Sequence, residues 1–158
     1  MSTRRSHLAT LGLAVTGLSA IGVTAAPSPA FGSAPGEPFR LTARRAKITI
    51  PDLPALGLTY IAMLDLFDEA GAAVGQAAAG ASIVDITLDG PVVLASVVLK
   101  LADGEIHYQR LMNRFGEFPR AATGAILGGT GTYHDIRGTV DISWPDADRV
   151  ELVVQPVP

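Results

Sequence analysis

The sequence has no cysteine, few aromatic residues and no long uninterrupted hydrophobic run. Without cysteine there can be neither a disulfide bond nor a thiolate metal ligand, so the folded domain must be held together by its apolar core. Hydrophobic residues make up 48% of the chain and aromatic residues 6%. A chain of 158 residues is long enough for one small domain with such a core.

Basic residues are also few. Twelve Lys and Arg face 15 Asp and Glu, which gives a net charge of -3. Two of the basic residues, Arg4 and Arg5, belong to the leader described next, so the mature domain is more acidic still. Because an acidic domain is a poor partner for a phosphate backbone, we expect no nucleic-acid ligand.

Residues 1–34 have the composition of an export signal, with Arg4 and Arg5 before an apolar stretch and then small residues and prolines. The apolar stretch, residues 8–23, is 16 residues long, shorter than the roughly 20 that a membrane-spanning helix needs. Residues 3–8 resemble a twin-arginine signal, and ordinary secretion is the alternative route. We therefore expect a secreted or cell-envelope protein whose mature form, residues 35–158, is one domain without a membrane span.

The mature part consists of short runs rich in β-branched residues, separated by Asp-Gly, Gly-rich and Pro-containing turns. These runs are residues 39–50, 58–67, 74–79, 82–88, 92–101, 105–113, 121–127, 137–143 and 149–154. Eight or nine strands with hairpin-length links must close on themselves or pair to protect their edges. We therefore predict an all-β fold, an eight-stranded antiparallel β-barrel.

Alternation along the runs shows which side chains share a face. In residues 105–113, one face carries His107 and Gln109 and the other carries Tyr108 and Arg110, and either face can be the one that lines the lumen. The run 92–101 is apolar on both faces. In a one-layer barrel such a strand needs a second covering surface, so we expect a homo-oligomer; cover by the N-terminal segment or by a loop is the alternative.

Several classes of site find little support in the sequence. The mature part has only His107 and His134, far apart, and Asp146 with Asp148 fits a hairpin turn better than a calcium loop, so we predict no metal. No serine lies in a nucleophile elbow, and there is no dinucleotide or P-loop motif. We expect no cofactor.

The most specific motif is Gly128-Gly129-Thr130-Gly131, followed by Tyr133 and then by Arg137-Gly138. This run resembles the signature of the dirigent and allene oxide cyclase superfamily, in which G-G-T-G-x-[FY], a three-residue spacer and R-G join two strands. A weaker likeness lies in residues 64–75, which resemble a hairpin near the start of these barrels. That segment also resembles the small bacterial barrel cyclases of polyketide pathways, including spirotetronate-forming Diels–Alderases.

The resemblance implies a barrel with a ligand cavity, commonly trimeric in the plant branches and dimeric in some bacterial cyclases. It implies a cofactor-independent enzyme of the cyclase or isomerase type, which steers the cyclisation of a small hydrophobic substrate in the cavity; the leader adds the expectation that this enzyme is exported. The alternative is a non-catalytic, dirigent-like barrel that binds a small apolar ligand. The chain is poorer in aromatic residues and cavity acids than the plant proteins, so fold transfers more safely than activity.

The catalytic candidates are Arg137, Asp141 and Tyr108. The resemblance implies that Arg137 lines the cavity and stabilises negative charge; the alternative is an ion pair with Asp141 on the same strand face. Asp141 is either a buried proton donor with a raised pKa or an exposed residue.

The cavity candidates are Tyr60, Asp65, His107 and Tyr133. Tyr60 is a core residue that can also line the cavity. Asp65 is either an acid inside the lumen or a solvated residue at an edge. Tyr133 either packs over the glycine turn or reaches the cavity. Only one of His107 and Tyr108 can face the lumen, and Arg110 would accompany Tyr108.

Overall fold

A computed structural model describes residues 36–50, 52–114 and 116–157. The predicted leader, residues 1–34, lies outside the described residues. The strands are β1 Phe39–Ile48, β2 Thr59–Phe67, β3 Ala73–Thr87, β4 Gly90–Leu101, β5 Gly104–Asn113, β6 Arg120–Gly129, β7 Gly138–Trp144 and β8 Arg149–Pro156. Each strand pairs antiparallel with its neighbours in sequence, and β8 pairs with β1, which closes the barrel. The predicted eight-stranded antiparallel barrel is confirmed.

The third strand corrects one detail of the sequence prediction. The runs 74–79 and 82–88 are a single strand, β3, because Gly80 does not turn the chain. Gly80 stays in the ladder opposite Ile61 of β2 and Ser96 of β4. The φ angle of Gly80 is not positive. A glycine with extended backbone does not by itself end a strand; it does so only at a turn or a bulge.

The glycine-rich motif builds one end of the barrel. After β6 the chain forms a short 3-10 helix, Gly131–Tyr133, and then enters β7. The Tyr133 ring packs against Phe39 at the start of β1, with centroids 6.3 Å apart and planes tilted by 34°. Gly138 has φ 131°, and a Cβ there would collide with the carbonyl oxygen of Gln155. The motif therefore closes this end, which we call the closed end.

Side-chain size varies along the inner wall. The largest fully buried side chains include Leu66, Leu99 and Ile106 towards the closed end and Ile83 and Val93 towards the opposite end. Burial of each such side chain stabilises the fold by about 1.5–3 kcal/mol. In the middle of the barrel the inner wall of β3 is built of alanine, namely Ala77, Ala79 and Ala81. Because alanine leaves space that larger residues would occupy, the lumen keeps a cavity along this part of the wall.

The opposite end, which we call the mouth, carries the β1–β2, β3–β4, β5–β6 and β7–β8 connections. The β7–β8 turn is set by Asp146, whose Oδ1 accepts hydrogen bonds from the amides of Asp148 at 2.9 Å and Arg149 at 2.8 Å. These bonds lower the pKa of Asp146. The two acids therefore form the hairpin turn that their spacing indicates.

The described residues contain neither a membrane-spanning helix nor a metal-binding cluster of side chains. None of the helices in that part of the chain is long and apolar enough to cross a membrane. The same residues contain no group of three or more His, Cys, Asp and Glu side chains arranged to hold a metal ion.

Candidate active site

The lumen contains a cavity that opens at the mouth. The volume that the centres of water molecules can occupy in this cavity is about 60 Å³. This corresponds to roughly four waters. Its wall is aliphatic except for a few aromatic and charged side chains: Tyr60, Tyr108, Trp144, Arg45, Arg110, Arg114 and Asp148. A larger ligand would have to displace the unbranched, flexible side chain of Met112.

The inner face of β5 supplies the polar centre of the cavity. Tyr108 is 2% exposed and faces the lumen, and Arg110 follows two residues later on the same face. The Nη1 of Arg110 donates a hydrogen bond to the phenolic oxygen of Tyr108 at 3.1 Å. The Arg110 guanidinium carbon also lies 4.8 Å from the ring centroid of Trp144. Arg110 is thus held in place by a hydrogen bond and a cation–π contact.

The electrostatics of this pair suit the binding of an electron-rich oxygen. Burial raises the pKa of the Tyr108 phenol, and the charge and hydrogen bond of Arg110 partly oppose this rise. Tyr108 therefore stays protonated at neutral pH and can donate a hydrogen bond through its hydroxyl. The Nε of Arg110 is buried and has no hydrogen-bond partner among the described residues. The pair thus contributes a phenolic donor and a permanently charged guanidinium to the cavity wall.

Aromatic side chains complete the walls around this pair. Tyr60 on β2 and Trp144 at the end of β7 are each 5% exposed. Tyr60 packs with Ala81, Ile83 and Val93 in a cluster near the mouth. These rings offer flat apolar surfaces on which an unsaturated ligand can stack.

Arg137 does not reach the cavity. It precedes β7, is exposed, and its backbone oxygen accepts a hydrogen bond from Val157 at 3.0 Å. It lies at the closed end, away from the mouth, and makes no ion pair with Asp141 among the described contacts. The expected position of Arg137 on the cavity wall is therefore corrected, because the R-G element sits where the strand enters the closed end.

Asp141 lies on the outer face of the barrel, between the inward-facing Val140 and Ile142. Its Oδ1 accepts a hydrogen bond from Thr123 at 2.9 Å, and its Oδ2 accepts one from Gln155. It does not line the cavity. Of the two alternatives for Asp141, the position outside the cavity matches the structure. Its carboxylate oxygens accept hydrogen bonds from side chains of the neighbouring strands β6 and β8.

Asp65 and His107 also face outward. Asp65 accepts a hydrogen bond from Gln76 at 3.4 Å, and the Nε2 of His107 lies 3.3 Å from Glu105 Oε2. Tyr133 packs over the glycine turn against the core and does not line the cavity. Of the cavity candidates, the structure thus brings Tyr60 to the lumen, where it joins the catalytic candidate Tyr108 and its companion Arg110.

Four of the aromatic and charged cavity residues were not anticipated, namely Trp144, Arg45, Arg114 and Asp148. The apolar alternation of Val140 and Ile142 continues to Trp144 and would have placed it on the inner face had the strand been extended by one residue. Arg45 and Arg114 carry no comparable signal. They reach the cavity only because barrel closure brings the ends of β1 and β5 to the same mouth.

Comparisons with known proteins support the fold. No family model and no curated protein matches the chain. Among solved structures, a pyocyanin demethylase shares 24% identity with a TM-score of 0.63, over 75% of this chain and 100% of its own. AbnU, an exo-specific intermolecular Diels–Alderase, shares 16% with a TM-score of 0.54, over 75% and 100%.

A third solved structure is a nonspecific heme-binding cyclase that catalyses [4 + 2] cycloaddition during neoabyssomicin biosynthesis. It shares 18% identity with a TM-score of 0.62, over 77% of this chain and 68% of its own. At these identities the likeness establishes a common barrel fold with cyclase-like proteins. It leaves the chemistry of this chain to be argued from its own residues.

Proposed function

We propose that this chain is a barrel enzyme of the cyclase or isomerase type, acting on a small hydrophobic substrate bound in the lumen. The observation that carries the proposal is the Tyr108–Arg110 pair, two polar side chains that meet inside a cavity whose wall is largely aliphatic. A barrel that only stores an apolar molecule needs no guanidinium on its cavity wall, and placing a charge there without a full set of partners is costly.

The residues suggest how such a reaction is accelerated. The apolar wall and the rings of Tyr60 and Trp144 restrict the substrate to a folded geometry in which the reacting carbons are close. Arg110 and Tyr108 donate hydrogen bonds to a carbonyl or enol oxygen of the substrate. As bonds reorganise, negative charge grows on that oxygen, and preorganised donors of this kind are worth about 2.7–4 kcal/mol each.

The chemistry needs no electron or group donor. In an intramolecular cycloaddition or an isomerisation, bonding electrons are redistributed within one substrate molecule, and the product has the same atoms and the same mass. A reaction of this kind therefore needs no cofactor, in agreement with the expectation from the sequence. Two of the proteins with similar folds are a Diels–Alderase and a cyclase that catalyses [4 + 2] cycloaddition, which supports this reaction class. The dirigent and allene oxide cyclase signature supports the finer placement of the chain in that superfamily.

A homo-oligomer, a dimer or a trimer, forms part of the proposal. On the outer face of β3, β4 and β5, towards the mouth, the exposed Leu94 lies directly opposite the exposed Leu111. The neighbouring outward side chains on these strands include no Asp, Glu, Lys or Arg; they are Ala78, Ser82, Ser96, Val98, His107 and Gln109. A face of this kind is self-complementary, since two copies can cover it without burying a charge.

Export is proposed on the sequence alone, from the Arg4-Arg5 pair and the apolar stretch that follows. It implies that the substrate is met in the cell envelope or outside the cell.

The proposal is tested first by native mass spectrometry of the protein purified from its own host, before and after denaturation. We expect a small hydrophobic molecule that is released on unfolding and is lost from an Arg110→Met variant purified in the same way. Recovery of only the apo protein, together with an inability of the lumen to take up any hydrophobic probe, would refute the proposal.

A further inference from the structure

Four arginines converge at the mouth of the barrel. Arg45 on β1, Arg110 on β5 and Arg114 just after β5 line the cavity. Arg120, the first residue of β6, adjoins them: burial lowers its pKa most, and the charges of Arg114 and Arg45 lower it further. Like charges are brought together here at an energetic cost, in a protein whose net charge is negative.

The cluster has little negative charge to balance it. Asp148 is the only carboxylate among the described residues that line the cavity. It lies 3.5 Å from the Nη1 of Arg45, and its side chain is 85% exposed to solvent. Three arginines line the cavity against this one carboxylate, so the cavity wall carries an excess of positive charge.

The orientation of Arg120 adds a second, independent observation. Its Nη1 donates to the backbone oxygen of Arg114, and its guanidinium carbon lies 4.0 Å from the ring centroid of Phe118. Its Nε is nevertheless buried and finds no acceptor in the described residues, as is also true of the Nε of Arg110. A buried donor without an acceptor is unfavourable, so both guanidinium groups keep unused hydrogen-bonding capacity.

We propose that the substrate is an organic anion, whose carboxylate or enolate oxygens are held by the arginines at the mouth while its apolar body lies against Tyr60 and Trp144. This inference rests on the proposed function, because it concerns the same cavity. Arg45, Arg110 and Arg114 line the cavity, and guanidinium groups bind planar oxyanions such as a carboxylate or a delocalised enolate with charge-assisted hydrogen bonds. A neutral apolar ligand would leave the repulsion between Arg120, Arg114 and Arg45 unrelieved.

The test compares octanoate with octan-1-ol, two probes with the same chain length and different charge. Trp144 is the single tryptophan of the chain, so its fluorescence reports occupancy of the lumen. We expect octanoate to bind at least about tenfold more tightly than octan-1-ol, since a charge-assisted hydrogen bond is worth about 1.5–3 kcal/mol. We also expect added NaCl to weaken octanoate binding and to leave octan-1-ol unaffected.

Two substitutions identify which arginines are responsible for the preference for octanoate. Arg120→Met should remove most of the preference for octanoate and leave the affinity for octan-1-ol unchanged. The matched control is Arg40→Met, because Arg40 is an exposed residue of β1 at the closed end, 3.7 Å from Glu69. It makes the same change in net charge and should leave both affinities as they are. The salt dependence of the unmodified protein decides the question should the Arg120 variant fail to fold.

The outcomes separate the two proposals. Equal binding of octanoate and octan-1-ol, with no salt dependence, would overturn the inference about the anion and leave the proposed function standing. Failure of both probes to change Trp144 fluorescence would show that the lumen does not admit apolar ligands, which contradicts the proposed function itself.

Discussion

Arg110 and Tyr108 stand two residues apart on β5 and meet inside the barrel, where the Nη1 of Arg110 lies 3.1 Å from the phenolic oxygen of Tyr108. The alternation of a β-strand puts both side chains on the same face, and closure of the sheet turns that face inward. An arginine and a tyrosine thereby form a donor pair in a cavity whose remaining wall is largely aliphatic.

The first prediction concerns this pair. Arg110→Met keeps the length and apolar stem of the side chain but removes the charge and the hydrogen bond to Tyr108. We expect turnover to fall by about a hundredfold, the usual cost of one preorganised donor, while the thermal transition changes by only a few degrees. Arg137→Ala is the control, because Arg137 is exposed and lies away from the cavity, and it should retain full turnover. Equal losses in the two variants would show that the pair has no special role.

The second prediction concerns alkaline pH. Burial raises the pKa of Tyr108, so the folded state holds this proton more tightly than the unfolded state, in which the pKa is about 10. The stabilising contribution is complete below the unfolded pKa and is lost as pH rises through the folded pKa. Denaturant unfolding at a series of pH values should show this loss in the unmodified protein and a smaller loss in Tyr108→Phe. Identical alkaline profiles would contradict the burial of the phenol.

The third prediction compares two glycines. At Gly138 the φ is 131° and a Cβ would meet the backbone of β8, so Gly138→Ala should destabilise the barrel by about 1–3 kcal/mol. At Gly80 the backbone is extended and a Cβ would meet nothing within 4 Å. Gly80→Ala should therefore be neutral or stabilising by about 0.4–1 kcal/mol. Urea unfolding of both variants measures this, and a large loss from Gly80→Ala would contradict a continuous β3.

The fourth prediction concerns the outer face of β3, β4 and β5. Leu94→Glu introduces a charge at the centre of the proposed contact, so sedimentation velocity should show a shift from oligomer to monomer with the barrel intact. Val153→Glu is the matched control on β8, where Val153 lies opposite Arg40, and it should leave the mass unchanged. An unmodified protein that sediments as a monomer at all concentrations would refute the oligomer.

The fold was largely predictable because local signals agree with one another. Turn residues and β-branched runs marked the strands, and the need to protect edges indicated closure. The exception was β3, where Gly80 has the composition of a turn but the backbone of a strand. A glycine permits a turn without requiring one, and only pairing with β2 and β4 decides the outcome.

The site was less predictable, for a physical reason. Alternation correctly grouped Tyr108 with Arg110 and His107 with Gln109, but it does not say which group faces inward, since that depends on the curvature of the whole sheet. The motif residues Tyr133 and Arg137 were separated from the cavity because they build the end at which the barrel closes. The mouth arginines come from three separate strands or their ends, and only barrel closure brings them together.

The most direct test of the central claim is metabolite profiling with the purified protein. Small molecules extracted from the host culture are incubated with the unmodified protein or with Arg110→Met, and all masses and retention times are compared by liquid chromatography and mass spectrometry. We expect one compound to be consumed and another of identical mass and different retention time to appear. This change should occur with the unmodified protein and not with Arg110→Met. A compound that binds the lumen and is recovered unchanged, with no new isobaric product, would contradict catalysis and leave a ligand-binding barrel.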